Sequence, residues 1–128
     1  MMVAIKQGLV VTFKIICQKL LDEYVASYRA MDAVGCASVF STDAELYSPY
    51  GPPAIGRAAI EAIHREWVAE GADEKEIKVV DAGVSEDVGW CVAHFSEGAT
   101  GSGRSLNVLE RQLDGNWLIS RCSINDAP

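Results

Sequence analysis

The sequence predicts an α+β fold in which a cone-shaped, curved antiparallel sheet wraps around a long N-terminal helix. Three observations predict it. Apolar residues from Phe13 to Met31 recur every three or four positions, the spacing of a helix with one buried stripe. Beyond residue 75 the apolar period falls to two, the spacing of strands. The strand-like runs are joined by short turn signals, Asp114-Gly115 being the strongest, so they read as a meander following the helices. A curved sheet must hide its concave face, and the long helix is the element available to cover it.

The helical stripe runs Phe13, Ile16, Cys17, Leu20, Leu21, Tyr24, Val25, Tyr28 and Met31. Residues 1–12 are expected to form an extension ahead of a single domain over residues 13–128. Asp32 is a helix N-cap, and the short helix after it turns Cys36, Val39 and Phe40 inward. Residues 41–43 read as a turn and residues 44–48 as a short strand stopped by Pro49. The Pro-Pro pair makes residues 49–56 a stiff loop at the mouth of the cone. A third helix opens after Gly56, carries Ile60, Ile63, His64 and Trp67 on one face, and stops at Gly71. Strands are expected over residues 77–84, 88–95, 105–113 and 117–124.

Composition narrows the function classes. Of 128 residues, 49% are hydrophobic and 23% charged, enough apolar material for one core. Eleven basic against 18 acidic residues leave a net charge of −7, with no basic stripe for phosphates, so nucleic acid and anionic membrane surfaces are not expected partners. The longest apolar run, around Leu9 to Phe13, is broken by Lys14, far short of the roughly 20 residues that span a bilayer. The same Lys14, with no small-residue cleavage site after it, speaks against a secretory leader. Cys17, Cys36, Cys91 and Cys122 are widely spaced and form no CxxC pair, so buried free thiols in a reducing cytoplasm are expected. No metal and no cofactor are expected.

An ordered set of short strings carries a resemblance. The strings are Tyr24-Val25-Ala26-Ser27-Tyr28-Arg29-Ala30, then Asp32 with Val39-Phe40, then Thr42-Asp43-Ala44-Glu45-Leu46-Tyr47-Ser48-Pro49, then Gly56-Arg57-Ala58-Ala59-Ile60, and Leu113-Asp114-Gly115-Asn116-Trp117. Together they span about residues 20–125, and the chain resembles the nuclear-transport-factor-2-like superfamily, close to its SnoaL-like and ketosteroid-isomerase-like branches. The resemblance implies a cone-shaped α+β barrel with an apolar pocket inside and dimerisation through the outer sheet face. The family includes isomerases, dehydratases and polyketide cyclases, and also non-catalytic binding and association modules. In the isomerase pattern Tyr24 falls at the oxyanion-donating tyrosine, Ser48 at the proton-moving aspartate and Leu109 near the protonated acid. A serine is no unassisted base and a leucine donates no hydrogen bond, so steroid-type double-bond migration is not expected.

If Ser48 points into the cone, alternation sends Leu46 and Tyr50 with it. The same alignment expects Trp90, Val92, His94 and Ser96 inside from one strand, and Arg121, Ser123 and Asn125 from the last. His64 and Trp67 join from the third helix, and Tyr24 and Tyr28 from the first. Histidine, with an ordinary pKa of about 6.5, is the natural proton carrier at neutral pH, which makes His94 with Tyr24 the candidate catalytic pair. A strand histidine bonded to a neighbour, or one on the dimer face, is the competing reading. Tyr28, Leu46, Ser48, Tyr50, His64, Trp67, Trp90, Arg121 and Asn125 are the candidate ligand contacts. Arg121 either meets an acidic ligand group or pairs with Glu110, Asp126 or a neighbour on a second subunit.

The expected function is therefore that of a cytoplasmic SnoaL-like homodimer binding a small apolar molecule, with cofactor-free isomerase, cyclase or dehydratase chemistry as the activity such a pocket would support. The alternative is a non-catalytic ligand-binding or protein-association module of the same fold.

Overall fold

A computed structural model describes residues 2–71, 74–98 and 101–127. Three helices, α1 (Met2–Arg29), α2 (Ala33–Ser38) and α3 (Arg57–Ala69), pack with six strands. These are β1 (Phe40–Ser48), β2 (Gly51–Ile55), β3 (Lys75–Ser85), β4 (Val88–Glu97), β5 (Ser102–Arg111) and β6 (Trp117–Asp126). The strands form one curved, unclosed sheet in the order β2-β1-β6-β5-β4-β3.

The α+β cone around the long helix is as expected, with four local differences. The helix starts at Met2, so the segment read as an extension continues α1 instead of preceding it. Residues 41–43 belong to β1, whose pairing with β6 is irregular there. Residues 51–55 are a strand despite Pro52 and Pro53, because β2 is an edge strand and an edge needs no N–H on its outer side. The sheet is not wholly antiparallel: β1 runs parallel to β6, with Leu46 beside Cys122, and this pairing of distant segments curls the meander into a cone.

The α1 stripe buries Phe13, Cys17, Leu21, Tyr24 and Tyr28 against the concave face. Phe13 meets the Trp117 ring edge-on at 4.8 Å and sits over Gly89, where a Cβ would collide with its ring, so only glycine fits there. Burying each such large side chain contributes about 1.5–3 kcal/mol. The same helix seals the free edge of β3. Gln18 donates to Ile77 O (3.0 Å) and accepts from Val79 N (2.8 Å), at the irregularity in β3, and Arg29 donates to Lys75 O (3.0 Å through Nε). Lys14 reaches Val80 O (3.5 Å). One sheet edge is thus capped by helix side chains and the other by prolines, two ways of blocking edge-to-edge pairing.

Asp32 caps α2 through Gly35 N (3.0 Å), as its position in the sequence suggests. Gly56, at φ 90°, lets the chain turn sharply from β2 into α3 and brings His64 under α1. The four cysteines are buried and free, and burial pushes the Cys36 and Cys122 thiols up to about 12. Among the described residues no helix is long and apolar enough to cross a membrane.

Candidate functional site

The concave face is lined by small and polar residues where the helix stripe is largest. Ala93, Ser105, Asn107 and Cys91 are buried on the floor, and Asn107 donates to Ser105 Oγ at 3.1 Å. Over this floor stand the aromatic rings of α1 and α3. His64 is 0% exposed, and the rings of Tyr24, Tyr28, Phe40 and Trp67 surround it at 4.9–6.2 Å between centroids.

Tyr24 and His64, 40 residues apart, form the central polar contact, Tyr24 Oη to His64 Nε2 at 2.8 Å. His64 Nδ1 lies 2.7 Å from Ile60 O, and a carbonyl oxygen only accepts, so Nδ1 carries the proton. Nε2 is therefore the acceptor and Tyr24 the donor. Burial drives the His64 pKa down to about 4 and, for the same reason, lifts that of Tyr24 well above the usual phenol range. Both partners stay neutral at neutral pH. The pair is a preset neutral hydrogen-bonding element, with the phenol oxygen left as an acceptor, and a poor carrier of charge.

Between this pair and the surface stand aromatic rings. Trp67 packs on His64 at 4.9 Å, and Tyr50, in the turn between β1 and β2, stands edge-on to Trp67 at 6.0 Å. Tyr50 is 54% exposed, and its hydroxyl is bonded to Asp126 on β6. Near the end of α1, Lys75 is buried with its ammonium 4.3 Å above the Tyr28 ring and paired to Glu97 at 2.5 Å. Lys75 also lines an open groove of about 1310 Å³ with Arg29, Phe95, Gly103 and Asp126.

The structure brings Tyr24, Tyr28, Leu46, His64 and Trp67 together and places Tyr50 at their outer side. Ser48, half-buried, accepts from the Tyr50 amide at 3.3 Å at the head of the turn. Four candidate site residues are corrected, and Val92, Ser96 and Ser123, also expected inside, share their outer face. His94 is exposed on the outer face, in one cross-strand row with Lys78, Arg104 and Asn125, and with them lines the groove. It does not meet Tyr24. Trp90, 39% exposed, is also on the outer face, against Gly83. Asn125 is exposed beside Arg104 on that face. Arg121 is outside too, bound to Glu45 at 3.0 Å instead of Glu110 or Asp126, and donating to Ser120 O. The reason is the same for all four. The inward positions of β4 and β6 are Cys91, Ala93 and Phe95, and Cys122 and Ile124, because only Gly89 fits beneath the Phe13 ring, which sets the alternation of β4, and the ladder passes it through Asn107 to Cys122.

Lys75, Glu97 and Asn107 escaped the sequence reading. Lys75 shares strand parity with Ile77 and Val79, and a strand begun two residues earlier would have placed it on the buried face. For Asn107 the signal is an inversion: on β5 the polar Ser105 and Asn107 face inward while Leu106 and Val108 face out.

No protein-family model matches the chain, and no curated protein matches it in sequence. Solved structures match it in fold. A ketosteroid isomerase-like protein from Erwinia carotovora atroseptica superposes with a TM-score of 0.72 at 17% identity, over 86% of this chain and 93% of that one. An NTF2-like protein with a cystatin-like fold from Novosphingobium aromaticivorans gives 0.73 at 20% identity, over 95% and 86%. A protein from Catenulispora acidiphila in complex with S-DNPA gives 0.72 at 18% identity, over 91% and 94%. The chain has the nuclear-transport-factor-2-like, cystatin-like fold of these structures.

Proposed function

We propose that this nuclear-transport-factor-2-like fold is a small-molecule-binding protein of the SnoaL-like kind, working as a homodimer. Its ligand is an apolar molecule with a hydroxyl or amine donor that meets the Tyr24 oxygen. The observation that carries this reading is the buried Tyr24–His64 hydrogen bond, whose proton positions are fixed by Ile60 O and which is set among the rings of Tyr28, Phe40 and Trp67. Preset polar groups in an apolar surround are the usual make-up of a ligand site. Since neither member of the pair takes charge at neutral pH, recognition is better supported than proton transfer. The dimer rests on β5, where Leu106, 46% exposed, and Val108 face outward beside Trp90, an apolar band that water alone would cover at a cost.

One observation favours the alternative, a non-catalytic association module: the space around His64 is filled by side chains, so a ligand must displace the Trp67 and Tyr50 rings. Titration with 2-naphthol, followed by tryptophan fluorescence, separates the two. Saturable quenching that disappears in Trp67→Phe and weakens at least tenfold in Tyr24→Phe is expected from the ligand site, about 1.4 kcal/mol. Absence of saturation, with the dimer intact, would leave the association module.

A further inference from the structure

We infer that the outer face of the sheet docks a second copy of this chain in one fixed direction: β5 lies over the partner's β5 in the opposite sense, and Arg104 meets the partner's Glu110 at both ends of an apolar band. This rests on the homodimer reading above and deepens it, since it names the register of the interface and the residues that choose it.

The outward positions of β5 are Arg104, Leu106, Val108 and Glu110, because Gly103, Ser105, Asn107 and Leu109 are buried on the other face. The order along the strand is a cation, two apolar residues and an anion. Arg104 lies between His94 on β4 and Asn125 on β6, with Lys78 one strand further on, so its rung is cationic. Glu110 lies between Val88 and Leu118. Neither Arg104 nor Glu110 makes an ion pair with the described residues. Arg111, the cation next to Glu110, is paired to Asp87 at 3.3 Å and lies over the Trp117 ring.

Two identical faces close on each other about a twofold axis in the plane between them. An axis along β5 keeps the two strands in one direction and sets Arg104 on Arg104 and Glu110 on Glu110. An oblique axis crosses the strands and brings neither charge to the other. An axis across β5 reverses the partner, sets Arg104 against Glu110 twice, and lays Leu106 on the partner's Val108 between them. Opposite charges attract where like charges repel, so the pattern selects this last axis. The neighbouring strands agree with it. The same reversal gives the exposed Trp90 the partner's Val92 to pack on, and it carries Lys78 toward the partner's β3–β4 turn, where Glu86 is exposed. Distance allows it as well. Positions 104 and 110 are about 20 Å apart along a strand, so each charge is about 10 Å from the crossing point. Aligned sheets cross at about 30°, which offsets facing residues there by about 5 Å, within reach of an arginine and a glutamate side chain.

The test reads the dimer of the full chain by light scattering across a dilution series, in Arg104→Glu, Glu110→Arg and the double reversal Arg104→Glu/Glu110→Arg. Each single reversal puts like charges into both facing pairs and should raise the dimer dissociation constant about tenfold or more. The double reversal exchanges the two charges and should return the constant to within about threefold of the wild type. Both side chains are exposed, so the melting of the protomer should hardly change. If a reversal does not fold, Arg104→Gln, Glu110→Gln and their double read the same contact: the double should weaken the dimer no more than either single, because each single already removes both pairs. Singles without effect, one single acting alone, a double reversal no better than the singles, or additive losses in the glutamine series would each overturn the register and leave the homodimer standing. A wild type that is monomeric at every concentration would overturn the two together.

Discussion

The two faces of the sheet are built from alternate residues of the same strands, yet they behave as different materials, and each holds one of the two histidines. The inner face is small and polar on β5, with Ser105 and Asn107, and is completed by large rings from the helices. The outer face is apolar at its centre, with Trp90, Leu106 and Val108, and carries a row of Lys78, His94 and Arg104 that makes no ion pair with the described residues. His64, inside, has both ring nitrogens bonded and no exposure, whereas His94, outside, is exposed. Chemical type does not decide the role of a histidine here. The face it is on does, because burial sets its charge and its partners.

The sharpest break of that comparison is to remove each imidazole. His64→Ala should cost about 3 kcal/mol, through the cavity left among four rings and the orphaned Tyr24 hydroxyl, whereas His94→Ala should stay within about 0.5 kcal/mol in urea unfolding. Equal losses would mean that the two faces are not distinct in packing.

The pH dependence sharpens it next. His64 has a folded pKa lowered to about 4 from the ordinary 6.5, so the unfolded chain takes up its proton first as pH falls. The stability that goes with neutral His64 is complete above pH 6.5 and is lost between 6.5 and about 4, roughly 3 kcal/mol in all. Urea midpoints of the wild type should drop across that window by more than those of His64→Leu. Parallel curves would show that the imidazole is not held neutral by the fold.

On the outer face, a charge in the apolar band should break association without unfolding the protomer. Leu106→Glu is expected to weaken the dimer at least tenfold, about 1.4 kcal/mol, in light scattering across a dilution series. A wild-type monomer at every concentration would remove the dimer from the proposal. The smallest effect comes from the centre of the site: Tyr24→Phe should lose about 1 kcal/mol, since it leaves His64 Nε2 as an unpaired acceptor while keeping the ring. A loss within experimental error would mean that water or a neighbour replaces the phenol.

The elements legible in the sequence were those whose signal is local. The α1 stripe, the Asp32 cap, the α3 face with His64 and Trp67, and the Asp114-Gly115 turn each depend on residues a few positions apart. β2 was hidden because prolines argue against a strand anywhere except an edge, and an edge is defined only by the whole sheet. Alternation correctly grouped Trp90 with His94 and Arg121 with Asn125, but it assigned both groups to the wrong side of the sheet.

By itself, then, the sequence determined the α+β order, the helix stripe with Tyr24 and Tyr28 on it, and the sets of strand residues that share a face. Only the tertiary structure decided which face is inward, that Tyr24 finds His64 40 residues away, and that Lys75 is buried against Glu97. The physical reason is that period-two patterning is symmetric between the two faces of a strand. On β4 the choice lay between Trp90, Val92 and His94 on one side and Cys91, Ala93 and Phe95 on the other, and both sets are partly apolar. What broke the symmetry was packing: the Phe13 ring lies so close over Gly89 that only glycine fits there, and that constraint exists only once helix and sheet are packed together.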